Sequence, residues 1–202
     1  MFNTVLEIII LFVLPVLLIF FKAIPFKYKV HILALICSIV SIIIVNEGWT
    51  MQKLGLRIDN LQISILPYML FAIVAPIGLF VVARVLNKNK VLQWWKKTHF
   101  LFGFIYISFL QEFLFRGFLI PKLQTILSSY FLIILINSLL FAFIHIIYLN
   151  NYQSLLIIFI GGIGFATIYT YYPNLILITV LHSILNFVCV LFGFYSKERS
   201  LK

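Results

Sequence analysis

Acidic residues are scarce. The 202-residue chain holds 5 Asp and Glu against 15 Lys and Arg, and charged residues of either sign make up only 10% of it. Soluble domains usually carry about 25%. A chain this poor in charge cannot clothe a water-facing surface, and disorder, which needs low hydrophobicity and high charge, is excluded as well. Cysteine is nearly absent: Cys37 and Cys189 both lie within apolar runs. Their spacing fits neither a disulfide framework nor a metal knuckle, so both read as small buried apolar residues. No soluble domain, long linker or internal repeat is present.

What the chain has is apolar length. Hydrophobic residues make up 64%, against a usual ~45–50%, and the mean hydropathy is +1.17. Lipid must be the solvent. A helix needs roughly 20 apolar residues to cross the hydrocarbon core. Seven stretches qualify: Thr4–Phe21, Val30–Val45, Ile63–Leu86, about Phe100–Leu119, Tyr130–Leu149, Leu155–Tyr171 and Leu175–Phe194. Runs such as Ile8–Phe21 do not alternate at period two, so barrel strands are disfavoured. The expected fold is an all-α, polytopic transmembrane bundle of about seven spans, one membrane domain over residues 1–202. Pro15, Pro67 and Pro76 fall within spans, where neighbouring helices can satisfy the freed carbonyls.

The basic residues set an expected orientation. Eleven of the fifteen follow the first, third and seventh spans, including Lys22, Lys27, Lys29, Arg84 and Lys88. Lys53, Arg57 and Lys122 fall on the other side, and Arg116 lies within a span. The positive-inside rule puts the C-terminus in the cytoplasm of a cell membrane. A net charge of +10 then reflects topology and anionic headgroups, so membrane lipid is a partner and nucleic acid is not. The N-terminus lacks an early basic residue and a small-residue cleavage site, so the first span reads as retained.

Charge within a bilayer is costly, by ~2.5–3.5 kcal/mol on insertion scales, and marks function by default. The fourth span carries Gln111, Glu112 and Arg116; the last two are four apart on one helix face and can neutralise each other. The fifth carries His145. The seventh carries His182 and Asn186, again four apart. Singly, each has a structural reading: an ion pair that locks packing, a satisfied histidine, polar glue between helices. Together they place a carboxylate, two imidazoles and amides on three spans. That set suits water activation with stabilisation of an oxyanion. Gly162 and Ala166 in the sixth span read as a close-packing pair. His31 and His99 read as interfacial.

The segment Gln111–Gly117 resembles the Glu-Glu-x-x-x-Arg motif of the CAAX prenyl endopeptidase and bacteriocin-processing (CPBP, or Abi) intramembrane proteases. Phe141 to His145 is similar to that family's Phe-x-x-x-His motif, and His182 to Asn186 to its His-x-x-x-Asn motif, in the same order. Leu54–Arg57 is similar to a weaker signature, so the resemblance covers roughly residues 50–195. It implies an endopeptidase acting on a peptide or protein substrate in a bacterial membrane. A Glu of the first motif would activate water, His145 would position it, His182 and Asn186 would hold the oxyanion, and Arg116 would tether the helix. The resemblance implies no cofactor; zinc on Glu112, His145 and His182 is the lesser reading, since Asn186 is a poor ligand.

One position departs from the pattern. The first glutamate of the motif is Gln111 here, and an amide cannot take a proton from water. Either Glu112, about 100° further round the helix, serves as base, or His145 does, or the site binds without cutting. The intact His145, His182 and Asn186 favour a working site. The alternative is a non-catalytic relative, a bacteriocin self-immunity or peptide-binding protein. A transporter ranks third, because no duplicated halves are present. Depth adds a further expectation. A fourth span starting at Thr98 would leave Glu112 ~21 Å from the inner face and His145 only ~6 Å. An interfacial helix or bend over Leu92–Phe102, with the span starting near Gly103, brings them to one level.

Overall fold

The computed structural model describes residues 2–88, 98–148, 152–192 and 194. Among them the chain is helical, with no strand. The helices are α1 (Phe2–Ile8), α2 (Leu14–Phe20), α3 (Lys29–Asn46), α4 (Leu61–Val85), α5 (Thr98–Glu112), α6 (Ile120–Gln124), α7 (Tyr130–Phe143), α8 (Tyr152–Tyr171) and α9 (Leu175–Leu191). Six stretches are long and apolar enough to cross a membrane: Asn3–Phe20, Phe26–Asn46, Leu61–Val85, Phe104–Gln124, Tyr130–Ile147 and Tyr152–Tyr171. The 17-residue α9 is a shorter apolar helix in the place of the expected seventh span.

Two of these stretches are not uniform α-helices. A π-helical turn, Ile9–Val13, joins α1 to α2, and another, Phe113–Leu119, joins α5 to α6. Each ends just before a proline, Pro15 or Pro121, at the start of the next helix. Proline has no N–H for the preceding turn, and its ring collides with the carbonyl four residues back. A widened turn relieves that collision without breaking the helix. Pro67 and Pro76, in contrast, sit inside a continuous α4.

The fourth span is the hub. Of its most apolar window 67% is buried, against 6% for the third span. Phe115, Phe118, Leu119, Ile120 and Leu123 are its core. The span continues past the expected end at Leu119 to Gln124. The sequence reading stops it before Lys122, a cation expected in a connection. Instead Lys122 is buried and neutralised: its Nζ lies 2.9 Å from Glu7 Oε2 and 2.5 Å from Glu47 Oε1. The helix or bend expected over Leu92–Phe102 falls partly outside the described residues; from Thr98 onward the chain is helical.

The loop after α3 is latched to the turn before α9. Leu175 N–H donates to Gly55 O at 2.8 Å, and Tyr169 Oη to Leu54 O at 2.9 Å. Asn174 donates to Arg57 O and Asn60 Oδ1, both at 3.0 Å, while its own oxygen caps α9 through Leu177 N–H. Gly55 has φ +72°, and a Cβ there would lie 2.2 Å from Tyr169 Oη, so glycine is required twice over. The weak Leu54–Arg57 signature is thus the clasp that fixes the start of the helix bearing His182.

Candidate active site

Helices α5 and α9 run past each other with two polar rungs between them. At one, His182 Nδ1–H donates to Glu112 Oε1 at 2.6 Å. At the other, Asn186 Nδ2–H donates to Ser108 Oγ at 3.1 Å. Both helices contribute residues four apart, so two i, i+4 faces meet in antiparallel register. Glu112 and Ser108 are fully buried and His182 nearly so.

Arg116 completes the first rung. Its Nη1 donates to Glu112 Oε1 at 3.3 Å, and its Nε lies 3.2 Å from Oε2, an ion pair without hydrogen-bond alignment. Its Nη2 donates to Gly162 O at 3.4 Å. The guanidinium lies 4.3 Å from the Phe141 ring centroid, which adds cation–π attraction to a fully buried charge. Gly162 lets α8 come this close: a Cβ there would stand 3.3 Å from Phe141 and 3.4 Å from Ser138.

His145 joins through Phe141. The Phe141 ring is 4.9 Å from the His145 ring and 5.6 Å from the His182 ring. His145 Nδ1 lies 2.7 Å from Phe141 O. A carbonyl only accepts, so Nδ1 carries the hydrogen and Nε2 is the acceptor of the neutral ring. Phe141 therefore packs between arginine and both histidines, tilted against His145 and edge-on to His182, a contact that its place in the motif did not announce.

Gln111 faces elsewhere. It lines a groove of about 70 Å³ between the first, second and fourth spans and the end of the fifth. Glu112, next in sequence, has no exposed surface at all. The roughly 100° between adjacent helical residues separates them: the amide looks into the groove, the carboxylate into the protein.

Asn137 was missed by the sequence reading. It is fully buried, and its Nδ2 donates to Phe115 O at 2.7 Å. Phe115 lies in the π-helical turn, where its carbonyl accepts from Ile120 N–H, and Asn137 adds a second donor that ties the fifth span to the turn. Its spacing was a usable signal, since Asn137, Phe141 and His145 recur every four residues on one stripe of the fifth span. Ser108 was equally legible, four residues before Glu112.

Glu112 is turned to a guanidinium and to His182 Nδ1. Among the described residues no group of three His, Cys, Asp or Glu is arranged to hold a metal ion.

Residues 93–188 match the protein-family model described as Type II CAAX prenyl endopeptidase Rce1-like. That segment takes in the fourth span through α9, and with them Gln111, Glu112, Arg116, His145, His182 and Asn186. No curated protein matches the chain, and no solved structure does. A multi-pass helical membrane protein thus builds its buried polar cluster within residues 93–188, the segment that matches the Rce1-like CAAX prenyl endopeptidase model.

Proposed function

We propose that the chain is an intramembrane endopeptidase in which a histidine backed by a glutamate takes the proton from water. The observation that carries this reading is the 2.6 Å hydrogen bond from His182 Nδ1 to Glu112 Oε1. A carboxylate on one ring nitrogen fixes the tautomer and orientation and leaves Nε2 to act as base. Glu112, shielded from the groove, acts through His182. In the step, water oxygen adds to the scissile carbonyl and its proton passes to His182 Nε2. The second N–H of the Asn186 amide donates to the oxyanion, and the proton then goes to the leaving amine. His145 Nε2, an acceptor, orients the water. Arg116 balances the Glu112 charge, and no metal takes part. The substrate is a membrane-associated peptide or a lipidated C-terminus, and the basic connections put the C-terminus of the chain in the cytoplasm of a cell membrane.

The test is cleavage of a membrane-tethered peptide by the purified chain. His182→Ala should lower the rate by about 10²–10⁴, the usual worth of general acid–base catalysis, with the helical fold intact. A second reading is favoured by Gln111, which stands on the groove wall where the family motif has glutamate: the chain binds peptide without cutting it. Gln111→Glu separates the two. Unchanged cleavage supports histidine chemistry; absent cleavage that appears only in Gln111→Glu supports the binding protein.

A further inference from the structure

The groove beside Gln111 has a charged mouth. Lys29 lines it, with its Nζ 3.8 Å from the Phe26 ring centroid and 4.7 Å from that of Tyr148. Two aromatic faces thus hold the ammonium in place. No carboxylate pairs with it among the described residues, unlike Lys122. From that mouth the walls are apolar: Leu11, Val16, Ile36, Ile107 and Ile144. The one polar side chain deeper in is Gln111.

The length of the track is informative. On the second span it runs from Lys29 to Ile36 and on the first from Ile19 to Leu11, about 10–12 Å at the helical rise. A leaflet is about 15 Å, half the ~30 Å hydrocarbon core. The groove therefore offers a cation at one end and an apolar channel most of a leaflet deep. Every lining residue belongs to a membrane span or its edge, so the surrounding medium is lipid. An apolar groove left empty forfeits dispersion contacts on its whole lining.

We propose that this groove binds one anionic phospholipid, with its phosphate on Lys29 and one acyl chain along the track to Gln111. The headgroup meets Lys29, the only cation among the described residues that line the groove, and the chain fills a space that water has no polar partners to occupy. The binding claim stands whether or not the chain hydrolyses peptides.

The full chain is placed in nanodiscs of phosphatidylcholine with and without phosphatidylglycerol, and the lipid retained after extraction is counted by native mass spectrometry. The parent should keep one phosphatidylglycerol per chain in preference to phosphatidylcholine. Lys29→Ala should lower that occupancy about fivefold, the factor one basic residue contributes at a membrane surface. Ile36→Trp, which fills the track, should lower it with Lys29 intact; Ile36→Phe is the milder version should Ile36→Trp fail to fold. Lys27→Ala, on the same connection but outside the groove, should leave it unchanged. The proposal is overturned if Lys27→Ala and Lys29→Ala act equally, if neither Ile36 variant has an effect, or if the parent keeps phosphatidylcholine as readily.

Discussion

Removing Glu112 while keeping Arg116 should be among the most damaging single changes in the chain. Both side chains are fully buried, in the most buried of the spans. In Glu112→Leu the guanidinium keeps the Gly162 carbonyl at 3.4 Å and the faces of Phe141, Phe165 and Phe115, but no carboxylate. Stranding one member of a buried pair costs about 3–5 kcal/mol, in line with ~2.5–3.5 kcal/mol for an unpaired cation at mid-membrane. Arg116→Met should cost less, because Glu112 keeps its 2.6 Å partner, His182. The double variant Glu112→Leu/Arg116→Met leaves no unpaired charge, and such replacements are often neutral. It should unfold within about 2 kcal/mol of the parent, a coupling far from additive. Reversible unfolding in mixed dodecylmaltoside and dodecyl sulfate micelles, followed by helical circular dichroism, reads all three. The reasoning fails if Glu112→Leu loses under about 1 kcal/mol, or if the double variant loses the sum of the singles.

Asn137→Leu should cost about 0.5–1.5 kcal/mol, the net worth of one hydrogen bond, because the Phe115 carbonyl keeps Ile120 N–H, measured by the same unfolding assay; a neutral result would mean that the widened turn holds itself. Gly164→Ala should destabilise by about 1–3 kcal/mol, because its Cβ would lie 2.5 Å from the end of the Phe71 ring; Gly161→Ala, with open space around it, should not. Burial raises the Glu47 carboxyl, but hydrogen bonds from Lys122 and Trp49 and the charges of Lys122 and Lys53 outweigh this and hold it below the ordinary carboxylate range. A depressed carboxylate contributes stability above its unfolded value, lost as pH falls through the folded one. The margin of the parent over Glu47→Gln should therefore be full near neutrality and shrink below about pH 4.

Spans were legible because lipid imposes one simple rule, a continuous apolar stretch of fixed length. That rule falters where a charge is buried with its partner. Lys122 looks like a connection residue until Glu7 and Glu47, from distant parts of the chain, are seen beside it. Catalytic candidates were legible through spacing: Glu112, His182, Asn186 and His145 do come together. Their roles were not, because one residue of helical rotation decides whether Gln111 or Glu112 faces the groove. Span boundaries alone do not fix that angle, and the π-helical turn beside the motif is invisible to a 3.6-residue reading. Prolines were the missed hint; Pro121 stands two residues after that turn ends.

The order of the buried charges along the chain bears on biosynthesis. Glu112 precedes Arg116, and Glu7 and Glu47 both precede Lys122. During vectorial synthesis each of these two cations leaves the ribosome after the carboxylate that neutralises it. Neither has to enter the bilayer awaiting a partner still to be translated, so the fourth span can leave the insertion machinery already compensated.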